Sequence, residues 1–169
     1  IEKRPNGTSS IRFKTVSAKQ TPKAMQRLHI AWEDAVKEAG MHRIIALAAY
    51  SLDFLCIHPF RDGNGRVSRL LMLLHCYHSG IEVGRYISVE RLIEQNKERY
   101  YETLKLSSEG WHEGKHNPWH YINFLCFIIK GAYTEFEERL GNIPPPRGEK
   151  TDLVRKSVNS IGGNFSVAD

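Results

Sequence analysis

The 169-residue sequence predicts an all-α bundle of about five or six helices with one short β-hairpin. Three observations carry that reading. Apolar residues recur at helical spacing through most of the chain. Most prolines and glycines fall between those stretches rather than inside them. Only one segment, Ile11-Arg12-Phe13-Lys14-Thr15-Val16, alternates apolar with cationic or hydroxyl side chains at the period of a strand.

That strand follows Pro5-Asn6-Gly7, a turn signal, so it is half of a hairpin whose other half lies upstream. Thr21-Pro22 caps and opens a first helix, in which Met25, Leu28, Trp32, Ala35, Val36 and Ala39 form the apolar stripe and Gly40 ends the run. Met41 to Ile57 is apolar nearly all round, with only His42, Arg43 and Asp53 ionisable, and belongs at the centre of the core. His58 to Asn64 is a loop, and Gly65 to Ser79 a second buried helix ending at Gly80, with Val67, Leu70, Leu71 and Leu74 as its core face. A short strand is expected at Val83 to Ile87, then a helix capped by Ser88 and running to about Leu106. Asn117-Pro118 opens a last long helix with Trp119, Ile122, Leu125, Cys126, Ile129 and Tyr133 on one stripe. Ile143 to Gly148 is a proline-rich linker, followed by an amphipathic segment from Leu153 to Ile161.

Composition narrows the function classes. No apolar run approaches the roughly 20 residues a membrane helix needs. Cys56, Cys76 and Cys126 cannot pair completely and sit in apolar helical patterns, as buried free thiols of a reducing compartment do, so a cytoplasmic protein is expected. The net charge of +5 is confined to one end. Residues 1–23 hold six of the 24 basic side chains and one of the 19 acidic ones, leaving 18 of each elsewhere. A neutral body argues against a nucleic-acid surface spread over the fold. The absence of an initiator methionine and of a signal-peptide pattern suggests a fragment of a larger chain.

The chemistry is concentrated in His58-Pro59-Phe60-Arg61-Asp62-Gly63-Asn64-Gly65-Arg66-Val67-Ser68-Arg69. Gly63-Asn64-Gly65 tolerates positive φ or close approach just before a helix, and successive N–H groups at a helix N-terminus cradle anions. Arg66 and Arg69, three apart, share a face that leans back over the cradle, and two guanidinium groups with an amide nest call for a polyphosphate. Asp62 beside such a ligand reads as a Mg2+ ligand shared with phosphate oxygens. His58 is the side chain whose ordinary pKa suits proton abstraction near neutrality. Each feature alone has an ordinary structural reading, since Gly-Asn-Gly is usually a turn and paired helix arginines usually a solvated face. Their coincidence in twelve residues favours nucleotide-dependent transfer.

This segment resembles the signature of the Fic family, His-Pro-Phe-x-Asp/Glu-Gly-Asn-Gly-Arg-x-x-Arg, at all nine specified positions. The resemblance extends over roughly residues 8–140. It implies the all-α Fic fold with a hairpin flap at about 8–20 and a catalytic domain over residues 1–142, then the linker at 143–149 and, at 150–169, the start of a winged-helix domain. It also implies AMP transfer from ATP to a Ser, Thr or Tyr hydroxyl of a protein target, the chain itself included, with release of pyrophosphate. On that pattern His58 is the base and Asp62 holds Mg2+. Gly63, Asn64, Gly65, Arg66 and Arg69 bind the phosphates. Tyr100 and Tyr101, with Leu104, resemble the family's adenine-pocket segment, and Phe60 anchors the loop in the core. Ile11, Arg12, Phe13, Lys14 and Thr15 resemble the flap that aligns the target by β-augmentation. Doc-type kinases of the superfamily carry lysine at the position of Gly65, so Gly65 favours AMP transfer. Family members are often restrained by a glutamate from a Ser/Thr-x-x-x-Glu-Gly/Asn helix paired with the second motif arginine. Thr134 to Glu138 comes nearest, but Arg139 breaks the match, which leaves the restraining helix upstream or on a partner.

The alternative from another class is a DNA-binding or adaptor protein that uses the fold as a nucleotide-sensing scaffold, DNA being reachable only through the C-terminal segment. A different phosphate-containing-group transferase of the same fold is a third reading. His112, His116 and His120 are spaced by four, but Gly114 and Pro118 break the helix that would align them on a metal.

Overall fold

The computed structural model describes residues 2–3, 9–10, 13–37 and 40–141. The linker expected at 143–149, the segment 150–169 and flap residues Ile11 and Arg12 lie outside these. Among the described residues the chain is all-α apart from two paired dipeptides. β1 (Glu2–Lys3) and β2 (Ser9–Ser10) are antiparallel, with Glu2 opposite Ser10 and Lys3 opposite Ser9. Six helices follow: α1 (Thr21–Lys37), α2 (Arg43–Ile57), α3 (Asn64–His78), α4 (Val89–Gln95), α5 (Lys97–Ser108) and α6 (Trp119–Gly141). Single 3-10 turns stand at Val83–Arg85 and Trp111–Glu113. The chain divides into two compact units, Ile1–Phe136 and Glu137–Asp169, and everything below concerns the first.

α2 is the centre, as its all-round apolarity requires. It packs against α1, α3 and α5. One side gives Leu47, Ala48, Leu52 and Cys56 to a cluster with Met72 and Cys76 of α3 and Tyr121, Ile122, Phe124, Leu125, Ile128 and Ile129 of α6. The other gives Tyr50, Phe54 and Ile57 to a cluster with Leu28 of α1. Ser107, fully buried, accepts the Tyr121 N–H at 3.0 Å and ties the end of α5 to the start of α6. No helix among the described residues is long and apolar enough to cross a membrane.

Several local expectations are corrected. The paired strand lies at Ser9–Ser10, and Phe13 to Ser17 is irregular rather than the second half of an Ile11–Val16 strand. Those residues answer instead to the 111–113 turn: the Phe13 ring stacks on His112 at 5.5 Å and meets Trp111 edge-on at 6.3 Å. The His112 Nε2–H donates to the Lys14 carbonyl. The strand expected at Val83–Ile87 is a 3-10 turn, with Tyr86 N–H donating to Val83 O. There Gly84 lies so near α3 that a Cβ would meet Leu73 Cδ2 at 2.8 Å. The helix expected from Ser88 to Leu106 breaks at Asn96, whose Nδ2 donates to Leu92 O, giving α4 and α5. The stripe on α6 is buried at Ile122, Leu125 and Ile129, whereas Trp119 and Tyr133 at its ends are exposed.

α3 is rotated from its expected phase. Asn64, Ser68, Met72 and Cys76 are buried, while Leu70 is 66% and Leu74 49% exposed. The cause lies at the first residue. Asn64 turns its side chain inward to bond the preceding loop, and the i+4 spacing then carries 68, 72 and 76 inward and 66, 70 and 74 outward.

Candidate active site

α2 ends in an unusual way. His58, its C-cap, has φ 58° and ψ 60°, the one positive-φ non-glycine among the described residues. A histidine there costs conformational energy that glycine would not, so the position is held by its surroundings. Its N–H donates to Phe54 O at 2.9 Å, closing the helix. Its ring Nδ1 lies 3.1 Å from Leu55 O. A carbonyl only accepts, so Nδ1 carries a proton, which leaves Nε2 as the ring nitrogen that can accept one.

The loop to α3 is held by Asn64, which is 2% exposed. Its Oδ1 accepts the Phe60 N–H at 2.9 Å and its Nδ2 donates to Phe60 O at 2.6 Å. The Asn64 side chain is thus committed to the loop, and what it can offer an anion is its main-chain N–H. Phe60 itself is 51% exposed, so the loop is anchored by this clamp and not by a buried ring as expected. Gly63, with φ 81°, makes the turn into α3, whose first N–H groups have no intrahelical acceptor.

A cavity of about 420 Å3 opens beside this turn, a size suited to a small organic ligand. His58, Gly65 and Arg69 of the motif segment line it together with Phe13, Thr15, Tyr100, Tyr101 and Leu104 from elsewhere in the chain. Leu52, Leu55, Cys56, Lys105 and Ser108 complete it. Gly65 is in close contact with the arginine, since a Cβ there would lie 3.2 Å from Arg69 Nη1. Arg69 also donates from Nε to Glu90 Oε2 at 2.5 Å and bonds the buried Tyr100 hydroxyl. Burial pushes the Tyr100 hydroxyl up, with Arg69 opposing.

The two motif arginines therefore part company. Arg69 enters the cavity wall, whereas Arg66 projects into solvent with its side chain 74% exposed, its Nη2 3.4 Å from Asp62 Oδ2. Asp62 is 93% exposed. It is not among the residues that line the cavity, but it lies in the loop before α3, and one exposed carboxylate completed by phosphate oxygens and water is the donor set Mg2+ commonly takes. No group of three or more His, Cys, Asp or Glu side chains among the described residues forms a closed metal site, the 112/116/120 histidines included. Lys14 is exposed, and only Phe13 and Thr15 of the described flap residues line the cavity.

Two contributors escape a reading of the motif. Asp53, the one acid within α2, accepts from Trp111 Nε1 at 2.6 Å, and Trp111 in turn supports Phe13. Burial pushes the Asp53 carboxyl up, against the opposing effects of Trp111 and His116. Its isolation in an apolar helix was the available signal. Glu90 had none, because its partner lies 21 residues away.

Comparison with known proteins agrees with this architecture. Residues 2–76 match the family model described as Fic/DOC family. The chain is similar to the protein named Protein adenylyltransferase Fic from Drosophila ananassae, 41% identical over 88 residues that are 51% of this chain and 16% of that protein. The protein of the same name from Drosophila melanogaster is 40% identical over an equal span. That from Culex quinquefasciatus is 37% identical over 81 residues, 47% of this chain and 15% of that protein. The matched segment thus spans less than a fifth of those relatives. All nine signature positions fall within the segment that matches the Fic/DOC family model, so over that segment the chain is similar to this family.

Proposed function

We propose that the chain carries the catalytic domain of a protein adenylyltransferase, over residues 1–142, which moves AMP from Mg-ATP to a Ser, Thr or Tyr hydroxyl of a protein target. The observation that carries this reading is the meeting in one cavity of His58, whose Nε2 can accept a proton, with Gly65 and Arg69. The names of the relatives support the same activity.

In this reading Tyr101 and Leu104 contact the base, the N–H groups opening α3 hold the phosphates, and Arg69 meets the distal ones. Asp62 would hold Mg2+, which neutralises phosphate charge when bound. His58 Nε2 accepts the proton of the target hydroxyl as its oxygen bonds to the α-phosphorus. The bond from that phosphorus to the α,β-bridging oxygen breaks, and pyrophosphate leaves with the electron pair. Phe13 and Thr15 border the side from which a target segment would approach. The free thiols of Cys56 and Cys76 support a reducing compartment, the cytoplasm.

Parallel incubation of the chain and a cell lysate with α-labelled and γ-labelled ATP tests the reaction. Protein-bound α label, lost with an α,β-nonhydrolysable analogue and kept with a β,γ-blocked one, is expected. Retained γ label would mean a kinase with ATP seated in the opposite sense, and ATP binding without transfer of either label would mean a nucleotide-sensing scaffold.

A further inference from the structure

We propose that Glu90 is a positioning residue for nucleotide binding, which sets the rotation of Arg69 so that its two Nη groups meet the distal phosphates. The proposal rests on the adenylyltransferase reading above. Arg69 is the more enclosed partner, its side chain 21% exposed against 60% for Glu90. Glu90 stands in the first turn of α4, on backbone fixed by the Ser88 cap, whose Oγ accepts the Arg91 N–H at 3.2 Å, and by buried Ile87 and Val89 on either side. Its Oε2 takes the Nε–H edge of the guanidinium. A planar fork of five N–H donors held at that edge leaves the Nη edge for a second acceptor. Nη1 is the atom that lies against Gly65, at the floor of the anion cradle.

A carboxylate paired with a phosphate-binding arginine could instead be a competitor that ATP must displace. The cavity decides between them: Arg69, Gly65 and Tyr100 line it, and Glu90 does not. Glu90 stands behind the arginine rather than in the space a phosphate would fill.

Calorimetric binding of Mg-ATP and of AMP to the intact chain, wild type against Glu90→Ala and Glu90→Gln, tests this. Glu90→Ala is expected to weaken ATP binding roughly tenfold, from misdirection of one charge-assisted contact. AMP, which has no distal phosphates, should bind within about twofold of wild type. Glu90→Gln, whose side-chain carbonyl accepts the same Nε–H, should restore most of the ATP affinity. Tighter ATP binding by Glu90→Ala would make Glu90 a competitor and overturn the proposal. Equal binding by all three chains would reduce the pair to a surface contact, and equal weakening by both variants would mean that charge alone matters. Each of these overturns the proposal while leaving the proposed function standing. A wild-type chain that binds no ATP overturns both.

Discussion

The two sides of the site, meaning the motif residues that line the cavity and those that reach it from remote parts of the chain, are built differently. One is the continuous stretch His58 to Arg69, shaped by contacts among near neighbours: His58 N–H to Phe54, His58 Nδ1 to Leu55, and Asn64 to Phe60. The other gathers Phe13, Thr15, Tyr100, Tyr101 and Leu104 from remote parts of the chain. It depends on tertiary links, above all Asp53 to Trp111 and the packing of Phe13 on Trp111 and His112. Damage to the first side should therefore strike the chemical step and phosphate binding, and damage to the second should strike binding of the nucleotide base, access and stability.

The largest effect should follow removal of the base. His58→Ala is expected to slow AMP transfer about 10²–10⁴-fold, the usual contribution of a general base. ATP binding should change little, because the ring is tied by its Nδ1 to Leu55 O and serves the reaction through Nε2, while the N–H groups opening α3 and Arg69 hold the phosphates. Rapid-quench transfer beside equilibrium ATP binding checks both halves. Turnover near that of wild type would remove His58 from the mechanism, and a parallel loss of binding would erase the division between the two sides.

The same division explains what was legible in the sequence. Most of the motif could be read because its residues, Arg69 apart, act within a turn or two of the chain. Even there the phase of α3 was misassigned, with Leu70 and Leu74 expected inside. Asn64 reads as a ligand residue by type, and only its bonds to Phe60 reveal that it turns inward and rotates the helix. The Val83–Ile87 segment, β-branched at both ends, reads as a short strand but has no neighbouring strand among the described residues, and Gly84 fits it closely to α3 instead. Asn96 interrupts a helical pattern that the propensities of its neighbours would have continued. The pairing of Arg69 with Glu90 and of Asp53 with Trp111 spans 21 and 58 residues, distances over which periodicity carries no information.

The separation of the two motif arginines gives the next effect. Arg69→Ala should weaken ATP binding by about 1.5–3 kcal/mol, the range for a hydrogen bond to a charged group, and leave AMP nearly unaffected. Arg66→Ala should cost less, about 0.2–1 kcal/mol, because an exposed guanidinium paired with an exposed carboxylate acts through solvent. Competition binding of both variants with ATP and AMP measures the order. Equal losses would show that Arg66 swings into the cavity when ATP binds, and a larger loss at Arg66 would reverse the assignment made from its exposure.

The effect that isolates the remote side concerns Asp53 and falls on stability rather than on binding. Asp53→Ala leaves the Trp111 indole N–H without its acceptor and should destabilise the fold by about 1–2 kcal/mol, at the lower part of the range for a buried orphaned donor because Trp111 is only half-buried. Asp53→Asn keeps an oxygen for that donor and removes the charge. The sign of the pH dependence follows from the direction of the Asp53 shift. Burial raises its pKa in the folded state, with Trp111 and His116 only partly opposing. The fold therefore binds more protons than the unfolded chain in the interval between the two pKa values. The contribution of the protonated carboxyl is fully present below the unfolded pKa and is lost as pH rises through the folded one. Asp53→Asn, which cannot ionise, should match wild type in acid and gain on it as pH rises through the folded pKa, after which the difference levels off. Urea unfolding of both chains across that interval reads the difference directly. If wild type instead gains on Asp53→Asn with rising pH, the carboxylate is stabilised by Trp111 and His116 more than burial disfavours it. The remote side of the site would then be held by charge rather than by a neutral hydrogen bond.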